Sequence, residues 1–188
     1  MALLTARAPR RGHRLRALAI VAALVAALAH ASVRDYQVEA VFLFNFTQFV
    51  AWPSAAFDGE AAPIVIGVLG DDPFDGYLEA TVRGETVAAR SLAVRRYRSA
   101  DEIGPCHVLF ISRSEAGRIE QVVARLKSRN VLTVSDADGF IERGGMIRFV
   151  LESGHVKLRI NIDAVRAAGL EPSSKLLRVA EITTAEKG

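Results

Sequence analysis

The stretch from Tyr36 to Pro53 constrains the fold of this chain more than any other part of the sequence. It holds four of the nine phenylalanines and the only tryptophan, and its second half is apolar around nearly the whole circumference of a helix. Such a helix is buried, because a helix at the protein surface keeps one polar face. Its length approaches that of a membrane span. Five polar residues interrupt it, however: Gln37, Glu39, Asn45, Thr47 and Gln48. The stretch therefore predicts a core helix that is capped by Ser32 and ends at Trp52, before Pro53.

The first 31 residues have the pattern of an export signal. A head with five arginines and no acidic residue precedes an unbroken apolar run, Ala17 to Ala29, and Ala29 and Ala31 are the small residues that a signal peptidase reads. The pattern predicts a Sec-type signal peptide that is cleaved after Ala31, followed by one domain over residues 32–188. An uncleaved membrane anchor and a twin-arginine signal at Arg10-Arg11 are the alternatives.

Removal of this segment changes the charge of the chain. Residues 32–188 hold 19 basic and 21 acidic residues, a formal charge of −2, although the whole chain has +3. The basic isoelectric point therefore belongs to the leader and gives no reason to expect binding to nucleic acid. Cys106 is the only cysteine, so no internal disulfide forms, and its position before an apolar strand predicts a buried small hydrophobe.

The remaining sequence alternates between apolar strands and helices. Four strands are predicted at 64–70, 91–97, 106–112 and 131–134. Helices are predicted at Phe74–Val82, after Asp72-Pro73, and at Glu115–Arg129, capped by Ser114. This alternation predicts an α/β fold, a single domain with a mostly parallel sheet and helices on both faces.

The tail departs from that alternation. Met146–Glu152 and His155–Ile162 read as two strands joined by Ser153-Gly154, which predicts a C-terminal antiparallel β-hairpin. A two-residue turn would place three apolar pairs on one face of this hairpin: Leu151 with Val156, Phe149 with Leu158, and Ile147 with Ile160. Two short helices are predicted after it, Ala164–Ala168 capped by Asp163 and Lys175–Ala180 capped by Ser173 or Ser174.

Motifs for catalysis are missing from the sequence. It contains no GxGxxG, GxxxxGK[ST], HExxH, GxSxG or CxxC pattern. Asp71-Asp72 is similar to the acidic pocket of receiver domains, but a turn with a helix cap accounts for it. His107 follows Cys106 directly, and neighbours on a strand point to opposite faces, which separates a nucleophile from its base. We therefore expect no enzyme activity, no metal site and no cofactor.

Nine residues are the candidates for contact with a partner or a ligand. Asn45 and Trp52 lie in the aromatic helix, where an amide and an indole could border a groove. Asp71, Phe74, Gly139 and Phe140 follow predicted strands, where sites in α/β sheets are usually found. Arg148, Lys157 and Arg159 form a basic face on the hairpin, which is either solvated or meets an acidic partner or phospholipid. The glycine pair Gly144-Gly145 is expected to permit a tight turn.

An ordered series of segments resembles one protein family. The first is YQVEAVFLFNFTQFVAWP, and the others are IVIGVLGDDPF, CHVLFIS, VLTVSDADGF, GGMIRFVLESGHVKLRIN and AGLEPSSKLLRVA. Together they resemble the YfiR family of small bacterial periplasmic proteins, from about Tyr36 to Ala180. Members of that family often carry cysteine pairs, which a chain with Cys106 alone lacks.

The resemblance implies a function. It implies a periplasmic regulator that binds and represses the periplasmic part of an inner-membrane diguanylate cyclase, which lowers cyclic-di-GMP and biofilm formation. It also implies self-association as a homodimer and sequestration by an outer-membrane lipoprotein. The partner could instead be a histidine kinase or another inner-membrane sensor. The alternative is a periplasmic small-ligand-binding module that feeds a sensor kinase, with an apolar groove beside the first helix.

Overall fold

The computed structural model describes residues 35–127 and 129–184. The predicted signal peptide and the Ser32 cap lie outside the described residues. The helices are α1 (residues 35–49), α2 (Tyr77–Val82), α3 (Ile119–Leu126), α4 (Ile162–Ala167) and α5 (Ser174–Arg178). The strands are β1 (Val50–Ala51), β2 (Ile64–Leu69), β3 (Thr86–Val87), β4 (Arg90–Tyr97), β5 (Val108–Ile111), β6 (Leu132–Ser135), β7 (Ile147–Glu152), β8 (His155–Asn161), β9 (Glu171–Pro172) and β10 (Ala180–Thr183). Short 3-10 helices lie at Ser54–Ala56, Ala100–Glu102 and Arg113–Arg118.

Eight of these strands form one sheet in the order β10-β8-β7-β6-β5-β2-β4-β3. The five strands from β7 to β4 are parallel to one another, and β10 is parallel to β8. Within this sheet, β3 with β4 and β7 with β8 pair in the antiparallel direction, and β1 and β9 form a separate antiparallel pair. The prediction of an α/β fold with a mostly parallel sheet is confirmed, while β10 at the sheet edge was not predicted.

The central strands are apolar throughout because both faces of the sheet are covered. Along β5, Val108 and Phe110 belong to one core while Leu109 and Ile111 belong to the other. The first core receives α1 and α2, and the second receives α3. A strand that is buried on both sides gains nothing from polar residues, which is why β2 and β5 read as continuous apolar runs.

Helix α1 is the core helix that the aromatic stretch predicts. Phe46 is fully buried and stacks on Phe149 of β7 with ring centroids 6.1 Å apart. The predicted end at Trp52 is wrong, since the helix stops at residue 49. Val50 and Ala51 pair instead with the short strand β9. This strand pairing ends the helix before the chain reaches Pro53.

The C-terminal hairpin has the predicted register. Leu151 lies opposite Val156, Phe149 opposite Leu158 and Ile147 opposite Ile160. Ser153 and Gly154 both have positive φ, +52° and +76°, which is the geometry of a type I′ turn.

Two predicted helix starts are wrong, because a turn precedes α2 and a 3-10 helix precedes α3. The Phe74 amide donates to Asp72 Oδ1 at 2.8 Å, which bends the chain into a turn, and α2 begins only after Gly76 in the left-handed region. The segment after β5 is capped by Ser112, which accepts from the Ser114 amide, and passes through a 3-10 helix before α3.

The cap of α4 differs from the prediction, and the cap of α5 is one of the two predicted residues. Asn161, rather than Asp163, caps α4 by accepting from the Ala164 amide at 3.0 Å. Ser173 caps α5, as one of the two predicted alternatives. Ala180 begins β10 instead of ending the last helix, since pairing with β8 draws it into the sheet. No helix within residues 35–127 and 129–184 has the length and apolar character needed to cross a membrane.

Candidate functional site

Polar side chains from the loops after β5 and β6 lie next to the beginning of α1, at the carboxyl ends of the parallel strands. Asp136 follows β6 and is buried, and Arg113, which follows β5, pairs with its Oδ2 at 2.8 Å. The Tyr36 hydroxyl of α1 donates to the same oxygen at 3.1 Å. Glu39 lies one turn further along α1. We refer to Tyr36, Glu39, Arg113 and Asp136 as the carboxyl cluster.

Glu39 is the unusual member of the carboxyl cluster. Only 5% of the residue is exposed, and its Oε2 has no hydrogen-bond partner among the described residues. Burial raises the pKa of Glu39 to about 9, and the charge of Asp136 adds to the effect while Arg113 opposes it. The carboxyl group is therefore protonated at neutral pH. Burial, then Asp136, likewise raise the pKa of Tyr36 to about 12, so the phenol keeps its proton and can donate it.

These groups join the beginning of α1 to the loops after β5 and β6. Phe74, which follows β2, adds an edge-on contact with Tyr36 at 6.0 Å between ring centroids. Among the described residues, no group of three or more His, Cys, Asp or Glu side chains is placed to hold a metal ion. The Tyr36–Asp136 hydrogen bond and the Tyr36–Phe74 contact hold the beginning of α1 against the loops after β6 and β2.

An aromatic array lies at the amino ends of the strands, just before β5. The His107 ring stacks on Phe57 at 4.5 Å and meets Trp52 edge-on at 6.0 Å, and the Arg90 guanidinium lies 4.0 Å from the Phe57 centroid. His107 Nδ1 accepts from the Val65 amide at 3.0 Å. Burial lowers the pKa of His107, and the contacts of its ring with Phe57 and Trp52 anchor this end of the sheet.

Cys106 lies beside His107 in sequence but in a different environment. It is buried in the second core, and its thiol lies 3.2 Å from the Val108 carbonyl oxygen. Burial raises the pKa of the Cys106 thiol to about 12, which keeps it protonated. The prediction of a buried hydrophobe is confirmed.

Two of the predicted site residues are on or beside the outer surface of α1. Val38 and Val41 are 44% and 41% exposed, and Asn45 continues the same helical stripe. Asn45 is half-buried rather than enclosed in the core, and no hydrogen bond of its side chain is formed within the described residues. Trp52 is half-buried in the aromatic array and lies beyond the end of α1.

The residues predicted at strand ends are not gathered into one site. Asp71 is exposed, and its amide donates to Ser114 Oγ at 2.9 Å. Phe74 and Phe140 are core residues of the first and second clusters, respectively. Gly139 has φ +68°, as a tight turn requires. Gly144-Gly145 forms the expected turn, with φ +86° at Gly144 and the Gly145 amide donating to the Phe140 carbonyl oxygen at 2.9 Å. The Phe140 ring also lies where a Cβ of Gly145 would be.

The basic face of the hairpin is balanced by acids. Arg148 pairs with Asp138, Lys157 with Glu152 at 2.7 Å, and Arg159 with both Glu152 and Glu181. A face whose cations are already paired is a weaker anchor for an acidic partner than the sequence indicated.

The carboxyl cluster was missed by the sequence analysis, although two signals were present. Glu39 is an acid within an apolar helix, and Asp136 follows a buried strand directly, where the carboxyl ends of parallel strands place functional groups. Only the fold shows that these two positions meet.

Comparison with known proteins assigns the family. A model of the YfiR/HmsC-like family matches residues 36–181. No curated protein matches the chain. The matched residues run from Tyr36 in the carboxyl cluster to Glu181 on β10, and they include all the other strands of the sheet and its helices. The chain therefore belongs to the YfiR/HmsC-like family.

Proposed function

We propose that this protein is a periplasmic regulator that binds the extracytoplasmic part of an inner-membrane diguanylate cyclase and holds it inactive. The observation that carries the proposal is the family match over residues 36–181, which spans nearly the whole described body. The family supports a role in regulating cyclic-di-GMP signalling. The identity of the partner, the repression and the export are our proposals.

The pattern of the first 31 residues supports the periplasmic address. Cleavage after Ala31 would release a domain with a formal charge of −2. A domain of that charge has no electrostatic attraction to nucleic acid. It would reach its partner by diffusion in the same compartment.

The outer surface of α1 is the docking surface that we favour. Val38 and Val41 are large apolar side chains at helical spacing, and they project from a helix that is otherwise packed on the sheet. Exposed apolar side chains on a rigid element are typical of the centre of a protein interface. Asn45, which is half-buried on the same stripe, would supply a polar contact at its border.

Deletion and complementation of the gene in its host would test the proposal. We expect deletion to raise cellular cyclic-di-GMP and biofilm mass, and the wild-type gene to reverse both. Val41→Glu should fail to complement, because burying a carboxylate in an interface costs far more than it gains. Ala80→Glu, an exposed position on α2, is the matched control and should complement fully.

The mechanism also requires a physical complex. Crosslinking in intact cells followed by mass spectrometry should recover a membrane protein with a cyclase domain from wild type but not from Val41→Glu. Unchanged cyclic-di-GMP after deletion would contradict repression of a cyclase. Full complementation by Val41→Glu would contradict docking through α1.

A further inference from the structure

A groove of about 450 Å³ lies between α3 and α4. This volume is within the range of small-molecule sites in proteins. Its walls are mainly apolar and are formed by Val123 and Leu126 of α3 and by Ala164 and Ala168 on the side of α4. None of its described lining residues belongs to α1, so it is separate from the carboxyl cluster and from the proposed docking surface. It is also not the groove beside the first helix that the sequence suggested.

The floor of the groove is polar, buried and held together by hydrogen bonds. Thr133 Oγ1 accepts from the Met146 amide at 3.2 Å, and the Asn161 amide donates to the Met146 carbonyl oxygen at 2.8 Å. The Thr133 side chain and the Asn161 backbone N–H therefore both bind the backbone of Met146. Thr133 is 1% exposed and Asn161 is 7% exposed.

Both side chains keep a donor for which the described residues provide no acceptor. Asn161 Oδ1 accepts from the Ala164 amide, which fixes the orientation of the carboxamide and leaves Nδ2, a donor only, without a partner. The Thr133 oxygen is used as an acceptor, so its hydroxyl proton remains available. Both residues line the groove, so an acceptor bound there can take these two hydrogen bonds.

The charged residues at the rim favour an anion. Lys127 makes no ion pair within the described part of the chain, and the Arg143 guanidinium is bound by the carbonyl oxygens of Gly139, Ala116 and Asp138 and by no carboxylate. Two acids also line the groove. Glu120 is exposed, and Asp163 has an interaction partner of its own.

We propose that this groove binds an aliphatic monocarboxylate of medium chain length. The carboxylate accepts hydrogen bonds from Asn161 Nδ2 and Thr133 Oγ1, near the positive charges of Lys127 and Arg143. The hydrocarbon chain lies between the apolar walls of α3 and α4, where its removal from water provides most of the affinity. This site does not depend on the identity of the signalling partner.

Isothermal titration calorimetry of the purified protein with sodium octanoate tests the proposal. We expect saturable binding of octanoate and no binding of octylammonium, which has the same hydrocarbon chain and the opposite charge. Absence of octanoate binding would overturn the proposal. Equal binding of the two probes would also overturn it, because it would show apolar partitioning without recognition of the carboxylate.

Three variants locate the site. Asn161→Asp keeps the oxygen that caps α4 but replaces the Nδ2 donor with negative charge, and we expect affinity for octanoate to fall about tenfold or more. Asn161→Ser keeps a capping hydroxyl, removes the donor without adding charge and should also weaken binding. Ala167→Leu, at an exposed position on the groove wall, should block the groove.

Ala80→Leu on α2 is the matched control for the added bulk and should bind octanoate like wild type. Thermal unfolding of each variant shows whether it is folded before its affinity is compared. Wild-type affinity in folded Asn161→Asp and Ala167→Leu together would show that octanoate binds elsewhere and would overturn the proposal.

Discussion

Glu39 and Asp136 are neighbouring carboxyl groups that differ in the partners of their oxygen atoms. Asp136 has Arg113 and the Tyr36 hydroxyl at its Oδ2 oxygen. Glu39 has no such partner for Oε2, and burial raises its pKa to about 9. A group in this state makes stability depend on pH, because the folded chain holds a proton that the unfolded chain releases.

We predict that Glu39→Gln stabilises the protein at alkaline pH. The pKa of Glu39 is about 9 in the folded chain and 4.5 as the ordinary value, so its contribution is complete below pH 4.5 and is lost as the pH rises towards 9. Glutamine carries no charge, so it removes this dependence. Urea unfolding should show the variant about 5 kcal/mol more stable than wild type at pH 8, since about 3.5 pH units separate this pH from the ordinary pKa and each costs about 1.4 kcal/mol.

The comparison of the two proteins at low pH is the control for this prediction. The two proteins should converge near pH 4.5, because all other carboxyl groups are shared. A constant difference between wild type and variant from pH 4.5 to pH 8 would show that Glu39 does not change its ionisation on unfolding.

Gly67, in the middle of β2, is a position where the packing of the second core leaves no room for a side chain. A Cβ at this residue would lie 2.7 Å from Tyr97 Cε2 and 2.9 Å from both Cys106 Sγ and Leu109 Cδ1. We predict that Gly67→Ala lowers the free energy of unfolding by about 1–3 kcal/mol, because the second core has no room for a methyl group. Gly117→Ala, where no atom lies within 4 Å of the added Cβ, should be close to neutral. Equal midpoints of denaturation for the two variants would contradict this account.

At the scale of elements, α1 and the hairpin are set by different kinds of interaction. Helix α1 is fixed by aromatic packing in its middle and by the carboxyl cluster at its beginning. The register of β7 with β8 follows from the turn and from three apolar cross-strand pairs. A register shift by one residue would turn the Phe149–Leu158 and Ile147–Ile160 pairs away from the core, so local geometry and burial select the same pairing. The third pair lies near the turn, where Leu151 is 58% exposed.

The turn of the hairpin gives a prediction. Gly154 has φ +76°, and Ser153 has φ +52°, a conformation that costs an L-residue about 1–2 kcal/mol. We expect Gly154→Ala to lower the free energy of unfolding by about 1 kcal/mol, while Ser153→Asn should preserve or raise it, since asparagine is favoured in type I′ turns. Thermal unfolding of both variants checks this. Destabilisation by Ser153→Asn would contradict the turn assignment.

At the scale of the whole molecule, the charge separates the leader from the rest of the chain. Five arginines and no acids lie in residues 1–31, whereas residues 32–188 have a formal charge of −2. A basic head followed by an apolar run is typical of an exported precursor. A formal charge of −2 over residues 32–188 produces no strong electrostatic field, so charge alone would not steer this part of the chain to a partner.

We predict that the protein in the periplasm begins at Ser32. Expression of the full chain in a Gram-negative host, osmotic-shock release and intact-mass measurement should give the mass of residues 32–188. Replacement of Ala31 by a bulky residue, Ala31→Phe, should retain the uncleaved precursor at the membrane. Recovery of the full-length chain in the cytoplasm would contradict export.

The sequence predicted a large part of this fold for identifiable reasons. The strands β2 and β5 were found because burial on both faces produces apolar runs, and the hairpin was found because Ser153-Gly154 separates two alternating segments. The short strands β1, β9 and β10 were missed, because two to four residues carry no periodicity and their pairing is decided by neighbours. One helix start was misplaced after Asp72, where a turn precedes α2, and another at Asp163, where Asn161 supplies the cap instead.

The sequence by itself determined the export pattern, the α/β class and the family, because these depend on composition, on local periodicity and on the order of segments along the chain. Only the tertiary structure decided that Glu39 meets Asp136 and that Thr133 and Asn161 both bind the backbone of Met146 under a groove. These residues are far apart in sequence, and each is unremarkable alone. Their chemistry arises from burial and proximity, which exist only after strands distant in the chain have been brought side by side.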